Sequence, residues 1–326
     1  MGKIIAVFNQ KGGVGKTATI SCLASELQIR GKKVLVIDAD QQENLSVSLR
    51  VIPRNCKMTI YDLLRKEIEG EYYERDLSEV IHHTDFGIDL IPGSVRMAGM
   101  DRLMFTVTHF PSQFEKLLEN YATDKNDMRS KIEEAGLTED IKEFIRIKRQ
   151  YDDEENNIKK KLFDADLYIE KDGDFLLKKI LSAIKGNYDY ILIDCPPALS
   201  SITINILTAA DRLIIPMTPE PFSASGMRHL LANIEVINKL NNPDLTISGL
   251  LFTMVQKNLK VSDALIEQTR ARFESEMYVY DTQIPRSTDV NKAFAHSEPL
   301  ILYNRNNTAR KAYSDFCEEF LMREEG

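Results

Sequence analysis

Short runs of apolar residues recur along the chain and alternate with segments in which apolar residues have helical spacing. The first run, Lys3–Phe8, is followed by a glycine-rich loop, and helical spacing then extends from Thr17 to Arg30. Gly31 comes where that helix is predicted to end, since glycine commonly follows a helix C-terminus. Further apolar runs of strand length cover residues 33–40, 188–194, 212–219 and 248–254. Continuous runs of this kind are typical of strands buried on both faces of a sheet.

Strands that alternate with helices predict an α/β fold, with a mostly parallel twisted sheet and helices on both faces. A chain of 326 residues can bury a large core in one elaborated domain, so we predict a single domain over residues 1–326. Residues 105–174 differ from the rest, because they carry 18 acidic and 12 basic residues. They are predicted to form a charged helical insertion; a platform for a partner protein or for dimer contacts is the alternative.

The loop between the first strand and the first helix has the sequence K-G-G-V-G-K-T over residues 11–17. Its glycines allow consecutive backbone N–H groups to converge on phosphate oxygens, and the helix N-terminus adds partial positive charge. Lys16 would then reach the β- and γ-phosphates, and the Thr17 hydroxyl is placed to bind Mg2+. The usual pattern G-x-x-x-x-G-K-[ST] is not met, because Gln10 replaces its first glycine and Lys11 adds a second lysine. The sequence therefore predicts a nucleotide-phosphate site of an unusual kind.

This motif resembles the deviant Walker A of the ParA/MinD family of ATPases, which have a P-loop NTPase fold. The resemblance implies that Lys11 crosses a dimer interface and touches the nucleotide held by the other subunit. It also implies that the ligands are ATP and Mg2+. The residues of this loop that are implied to bind the nucleotide are Lys11, Gly12, Gly13, Val14, Gly15, Lys16, Thr17 and Ala18.

Two later strands end in carboxylates, in the order found in the family. Asp38 and Asp40 are two positions apart, so one face of the strand could present both near the phosphates. Residues 38–44 resemble the family's D-x-D-P-Q-x-N motif, with glutamine in place of proline. Asp194 ends the run 188–194 and resembles the Walker B acid, which holds Mg2+ through a water.

By this resemblance, Asp40 positions or activates the attacking water. The implied catalytic residues are Lys11, Lys16 and Asp40, and the implied metal-binding residues are Thr17, Asp40 and Asp194. Residues 283–286 and 292–303 resemble the closing segment of ParA and Soj partition ATPases. In that family the loops after the last strands surround the adenine, which implies a nucleotide contact at Pro285. The resemblance covers about residues 1–103 and 176–322 and leaves only the middle segment unmatched.

DNA binding is a further implication, because ParA-type ATPases usually bind DNA non-specifically as ATP dimers through basic residues near the C-terminus. The candidate contacts here are Lys257, Lys260, Arg270 and Arg286. Two positions depart from the family pattern: Asn258 stands where an arginine is common, and Asp289 where a basic residue is common. The formal net charge is −8, so any attraction to DNA must come from a local basic patch and must be sensitive to salt.

Other features exclude alternative classes. Four scattered cysteines without a C-x-x-C pair predict reduced thiols and no zinc site. No apolar run is long enough to span a bilayer, and no signal peptide is recognised. Residues 308–322 have an apolar stripe, but the acidic pairs Glu318–Glu319 and Glu324–Glu325 would be repelled by an anionic membrane. We therefore expect this segment to pack against the domain, and the protein to be cytoplasmic, or nucleoid-associated if it binds DNA.

The motif order and the resemblance predict a ParA/Soj-like, Mg2+-dependent ATPase that acts in plasmid or chromosome partition. ATP would bridge the two subunits of a homodimer, and hydrolysis would release the dimer and its DNA. Hydrolysis is expected to be slow and to be stimulated by a ParB-like partner protein, because the sequence shows no arginine finger. Two alternatives stay open: an ATP-gated positioning protein that moves a protein cargo without binding DNA, and a metabolic phosphoryl-transfer enzyme on the same fold.

Overall fold

The computed structural model describes residues 2–72, 74–109, 172–220, 223–256, 260–304 and 306–325. Residues 1–104 and 173–326 belong to one compact unit. Nearly all of the predicted insertion, residues 105–174, lies outside the described residues. Its helical character and its role therefore stay predictions.

An eight-stranded sheet is the centre of the described unit, with the order β3-β4-β2-β5-β1-β6-β7-β8. All neighbouring strands run parallel except β3 and β4. This arrangement confirms the predicted α/β class with a mostly parallel sheet. The strands are β1 Lys3–Val7, β2 Val34–Asp38, β3 His82–His83, β4 Asp89–Ile91, β5 Tyr190–Asp194, β6 Arg212–Met217, β7 Thr246–Val255 and β8 Val279–Pro285.

Helices cover both faces of the sheet, which explains why the strands are apolar throughout. In β1 and the residue after it, Ile4, Ala6 and Phe8 contribute to one core, whereas Ile5 and Val7 contribute to the other. The helices are α1 Lys16–Ile29, α2 Asn44–Ser48, α3 Ile60–Ile68, α4 Glu74–Val80, α5 Met97–His109, α6 Leu176–Ser182, α7 Ser201–Ala209, α8 Ser223–Leu240, α9 Lys260–Phe273, α10 Thr288–Ala295, α11 Leu300–Tyr303 and α12 Thr308–Glu325, with 3-10 turns at Pro53–Asn55, Asp172–Phe175 and Lys185–Asn187.

The first helix begins and ends close to the predicted positions. It starts at Lys16, one residue before the predicted Thr17, and ends at Ile29 with Arg30 as its C-cap. Gly31 has φ 80°, in the left-handed region that favours glycine after a helix. The strand ends are also near those predicted, although β2 and β6 each stop two residues early, at Asp38 and Met217.

The C-terminal helix α12 packs against α1 and β8, as its apolar stripe predicted. The buried residues of that stripe are Ala309, Tyr313, Phe316, Cys317 and Phe320. Its glutamates also bind within the domain: Glu319 accepts hydrogen bonds from the backbone N–H groups of Asp281 and Thr282 in the edge strand β8. The acidic pairs therefore have a structural function that the sequence did not reveal. No helix in the described part of the chain is long and apolar enough to cross a membrane.

Glu324 is the most enclosed of these acids, and its loss should destabilise the protein. Its side chain is only 4% exposed and accepts bonds from Lys3 Nζ (2.9 Å), Arg212 Nε (3.2 Å) and Ser248 Oγ (2.9 Å). Glu324→Ala leaves these donors without their acceptor and should lower the free energy of unfolding by about 2–3 kcal/mol. Urea unfolding measures this change. Glu235→Ala, which removes an exposed partner of Lys239, is the control and should unfold like the wild type. Equal stability of the two variants would contradict the assignment.

Candidate functional site

The loop between β1 and α1 has the conformation that its glycines predict. Gly13 and Gly15 have φ 73° and 82°, and Gly15 is the N-cap of α1. No atom lies within 3.7 Å of a Cβ built on Gly15, so the backbone angle and not the space requires glycine there. The loop is tied to the neighbouring part of the sheet, because Thr253 Oγ1 donates to the carbonyl of Val14 at 2.8 Å. The result is a rigid glycine loop at the carboxyl end of the parallel strands.

Lys16 points into this loop. Its side chain is buried, and Nζ donates to the backbone carbonyls of Asn9 (3.3 Å) and Lys11 (3.5 Å). Asn9 in turn anchors the loop, since its Nδ2 donates to the carbonyl of Pro216 and its Oδ1 accepts from the backbone N–H of Lys11. A buried ammonium enclosed by a glycine loop and a helix N-terminus is suited to bind a polyphosphate.

Lys11, unlike Lys16, has an exposed side chain that binds a residue of another loop. Its Nζ forms an ion pair with Glu220 Oε2 at 2.5 Å, and the side chains are 45% and 55% exposed. The hydrogen bond from Lys11 holds the pKa of the Glu220 carboxyl below its usual value. The two lysines of the motif therefore serve different surfaces. Sequence reasoning missed Glu220, which follows β6 in a loop without a recognisable motif.

The predicted carboxylate positions come together at the ends of two adjacent strands, β2 and β5. Asp194 of β5 is in register with both Val7 of β1 and Asp38 of β2. Both carboxylate oxygens of Asp194 are buried without a hydrogen-bond partner among the described residues. Burial is the main reason why the pKa of Asp194 lies well above its ordinary value, and the negative charge of Asp38 is the second. The nearby Thr17 hydroxyl lowers the pKa of Asp194, but it does not meet the geometric criteria of a hydrogen bond to that carboxylate.

Asp38 and Asp40 both lie close enough to Asp194 for their charges to raise its pKa, but their own surroundings differ. Strand β2 ends at Asp38, so the alternation of side chains does not extend to Asp40. Asp38 is fully buried, and its Oδ2 accepts from the backbone N–H (2.8 Å) and hydroxyl (2.7 Å) of Ser46. Burial raises the pKa of Asp38 to about 6, against the opposing effect of the Ser46 bonds. Asp40 is half-buried and accepts from the backbone N–H of Gln42 at 3.0 Å.

Gly93 belongs to this carboxylate region, although no motif indicated it. A Cβ on Gly93 would lie 2.9 Å from Asp38 Cγ, so only glycine fits beside the buried carboxylate. Its backbone N–H donates to Ser46 Oγ at 2.9 Å. The loop after β4 therefore supports Asp38 through Ser46.

The residues present fit a magnesium ion that is bound together with a nucleotide. The unpartnered oxygens of Asp194 beside the Thr17 hydroxyl are hard oxygen ligands of the kind that Mg2+ prefers. No group of three or more His, Cys, Asp or Glu side chains in the described ranges could hold a metal by itself. This is the expected situation for Mg2+, which usually keeps several waters and relies on substrate phosphates.

One cavity lies beside the glycine loop, and a second shares two residues with it. The first, of about 220 Å3, is lined by Lys11, Gly12, Gly13, Val14 and Glu220, together with Thr218, Pro219, Met254, Gln256, Ser262 and Arg286. The second, of about 390 Å3, is lined by Val255, Gln256, Pro285, Arg286, Thr288 and Thr308. Gln256 and Arg286 line both. The predicted contact Pro285 lies in the second cavity, which no residue of the glycine loop lines, whereas Ala18 is buried inside α1.

Of the predicted DNA contacts, the structure describes the side chains of Arg270 and Arg286, and these differ in exposure. Arg270 is three-quarters buried and donates to the carbonyls of Val279 and Tyr280 and to Asp281, which braces α9 against β8. Arg286 is exposed at the two cavities. Lys260 begins α9, and Lys257 and Asn258 lie outside the described residues.

Asp289, which stands where the family commonly has a basic residue, forms hydrogen bonds with neighbouring side chains. Its carboxylate accepts from Lys292 Nζ at 3.1 Å and from the side-chain amides of Asn304 (2.8 Å) and Asn307 (2.9 Å). These bonds hold the pKa of Asp289 below its usual value, with Lys292 contributing most. The charge of Lys292 is thereby balanced locally.

A glycine loop with a buried lysine, a helix N-terminus and strand-end carboxylates together define a P-loop nucleotide-binding protein. A family model described as an AAA domain matches residues 2–128 and 118–247. The sporulation initiation inhibitor protein Soj of Bacillus subtilis is 31% identical over 320 residues, which are 98% of each chain. The chromosome partitioning protein ParA of Caulobacter vibrioides is 30% identical over 99% of this chain and 95% of its own length.

Among solved structures, cobyrinic acid a,c-diamide synthase from Mycobacterium smegmatis, with bound ADP and magnesium, is similar with a TM-score of 0.69. The similarity covers 100% of this chain and 96% of that one at 23% identity, and so concerns the fold alone. The two relatives are closer in sequence and match over nearly their full length. The chain belongs to the ParA/Soj family of partition ATPases.

Proposed function

We propose that this chain is a Mg2+-dependent ATPase that works as an ATP-switched homodimer in chromosome or plasmid partition. One observation carries the proposal: Lys16 is buried and bound to its own loop, whereas Lys11 is exposed and bound only through an exposed pair with Glu220 among the described residues. One lysine is thus available for the bound nucleotide and the other for a second molecule. The relatives named as partitioning proteins support the biological role.

In the proposed mechanism, Lys16 and the N–H groups of residues 12–17 bind the phosphates of ATP. Mg2+, when bound, would be held by Thr17 and, through water, by Asp194, and would neutralise charge on the phosphates. Asp40 would orient the attacking water, since it lies next to the buried carboxylates and is only half-buried. Asp38 is committed to Ser46 and supports the loop that carries Asp40.

Dimer formation requires Lys11 to leave Glu220. Both side chains of this ion pair are exposed. Exposed pairs contribute about 0–1 kcal/mol to stability, so Lys11 can exchange Glu220 for another partner at little cost. In the dimer, the ammonium of Lys11 would reach the phosphates held by the other subunit. The Lys11 ammonium, already positioned beside the phosphates, would stabilise the negative charge that develops on them during hydrolysis.

Slow hydrolysis and stimulation by a ParB-like partner follow from the same site. Within the described residues, no arginine forms a hydrogen bond to the glycine loop. A partner protein would then raise turnover by supplying or ordering a missing group, as activating proteins do for other P-loop hydrolases.

Non-specific DNA binding is proposed as the output of the ATP state. Exposed Arg286 is the described residue that fits this role best, and Lys257 and Lys260 are the other candidates. A protein cargo is the second candidate, because Arg270 is largely buried and because Asp289 balances Lys292. Either output is compatible with the same nucleotide switch.

Arg286→Ala should separate the two outputs. With ATP and Mg2+, the wild type is expected to shift a non-specific DNA duplex in a gel, and 200 mM salt should weaken binding by about tenfold or more relative to 50 mM. Arg286→Ala should weaken binding by about three- to tenfold at low salt, since each phosphate contact adds a part of the total. Arg54→Ala, which removes an exposed arginine from another turn, is the control. A wild type that dimerises with ATP but shifts no DNA would favour the protein cargo.

A further inference from the structure

The segment 93–101 contacts both of the loops that carry the proposed hydrolytic carboxylates. It comprises the loop after β4 and the first residues of α5. On one side Gly93 N–H donates to Ser46 Oγ, and Ser46 in turn binds Asp38. On the other side Asp101 reaches the helix that follows Asp194. The sequence motifs do not account for this shared contact of one segment with both loops.

Asp101 caps helix α7 from another part of the chain. Its Oδ1 accepts from the backbone N–H of Ile202, the second residue of α7, at 3.0 Å. The residue in the N-cap position, Ser200, makes no capping bond with its own side chain, and its buried hydroxyl has no partner among the described residues. A carboxylate is a favourable cap, because it satisfies an unpaired N–H and complements the helix dipole.

The position of α7 matters because only six residues, 195–200, separate Asp194 from its first turn. Fixing the helix N-terminus therefore fixes the far end of the loop that begins at Asp194. On the other side, the backbone N–H of Val95 donates to Glu43 Oε1 at 2.8 Å, and Glu43 is the N-cap of α2 with φ 56°. The loop from Asp38 to α2, which carries Asp40, is thus supported by the same segment.

We propose that Asp101 is a positioning residue for ATP hydrolysis, which holds the Asp194 loop through the N-terminus of α7 while Gly93 and Val95 hold the Asp40 loop. The inference rests on the proposed ATPase function. Asp101 binds the N-terminus of α7, whereas Lys16 binds the carbonyls of the glycine loop and of Asn9, so the two side chains have no common partner among these bonds. Its loss should therefore slow turnover without weakening nucleotide binding.

The test compares Asp101→Ala, Asp101→Asn and Asp189→Ala in the full chain. Asp189 is the matched control, because its carboxylate also accepts a backbone N–H from another segment, that of Lys33 at 2.7 Å, but at the opposite end of the sheet. Asp101→Ala should lower kcat about tenfold, as expected when a reacting group is misplaced by a distant change, and should leave nucleotide affinity within about twofold. Asp101→Asn keeps an oxygen acceptor and should recover kcat to within about threefold of the wild type.

Equal kcat for Asp101→Ala and Asp189→Ala would overturn the inference, as would a loss of kcat matched by an equal loss of affinity. If Asp101→Ala does not fold, hydrogen exchange of Asp101→Glu decides instead, because the added methylene keeps the charge but displaces the carboxylate from the Ile202 N–H. Exchange of the amides of residues 195–204 that is faster than in the wild type by about threefold or more would support it, and unchanged exchange would overturn it. A wild type that does not hydrolyse ATP at all would instead refute the proposed function.

Discussion

Lys11→Ala is expected to abolish ATP-dependent dimerisation while leaving ATP binding nearly intact. Among the described residues, the partner of the Lys11 ammonium is exposed Glu220, so nucleotide affinity should change by less than about fivefold. Turnover should fall by about 100-fold or more, because a cation that stabilises charge in the transition state is lost. Light scattering with ATP and Mg2+ measures the mass, and a fluorescent ATP analogue measures the affinity.

Lys57→Ala is the matched control for this variant. Lys57 also forms an exposed ion pair, with Glu79 at 2.8 Å, but it lies in a segment remote in sequence from the glycine loop. It should dimerise and hydrolyse ATP like the wild type. If Lys11→Ala dimerises normally, or if it loses ATP binding, Lys11 serves its own subunit and the proposed role in dimer formation fails.

Asp40→Ala should have the opposite pattern: the ATP dimer forms and persists, but hydrolysis is lost. Removal of a group that orients or activates water typically costs about 10²- to 10⁴-fold in rate. Asp40 forms hydrogen bonds with Asp38 and Gln42, outside the glycine loop, so ATP binding and dimer formation should remain. Single-turnover hydrolysis and light scattering on the same sample separate the two effects.

Asp85→Ala, an exposed aspartate in the turn between β3 and β4, controls for the loss of one negative charge. It should match the wild type in both measurements. Normal hydrolysis by Asp40→Ala would exclude Asp40 from the chemistry and would direct attention to Asp194.

Much of the sheet was predictable because its strands are buried on both faces. Runs such as 190–194 and 212–217 are apolar without alternation, and few other structures produce that pattern. The phosphate loop was predictable for a different reason: its glycines and lysine act within eight consecutive residues. Strand β3 was not predictable, because two residues, His82 and His83, carry no pattern.

The parts of the site that sequence reasoning missed are all long-range contacts. Glu220 meets Lys11 across 209 positions, and Asp101 meets Ile202 across 101. A single sequence contains no spacing that indicates such pairs. Asp38 shows a related limit of local rules, because the strand ended two residues earlier than predicted and the carboxylate turned to Ser46. Similarly, the acidic residues of α12 indicated only repulsion from membranes, whereas they cap an edge strand and bind lysines within the domain.

The most direct test of the central claim, that Lys11 acts on the nucleotide of the other subunit, is to mix two inactive variants. In a mixed dimer of Lys11→Ala and Asp40→Ala, the Lys11→Ala subunit keeps its own Asp40 and receives Lys11 from its partner. One of the two sites of each mixed dimer is complete, so ATP turnover of an equal mixture should rise above that of the two variants measured separately, towards a ceiling of about half of the wild-type rate. A mixture that is no more active than the two variants measured separately would contradict the account.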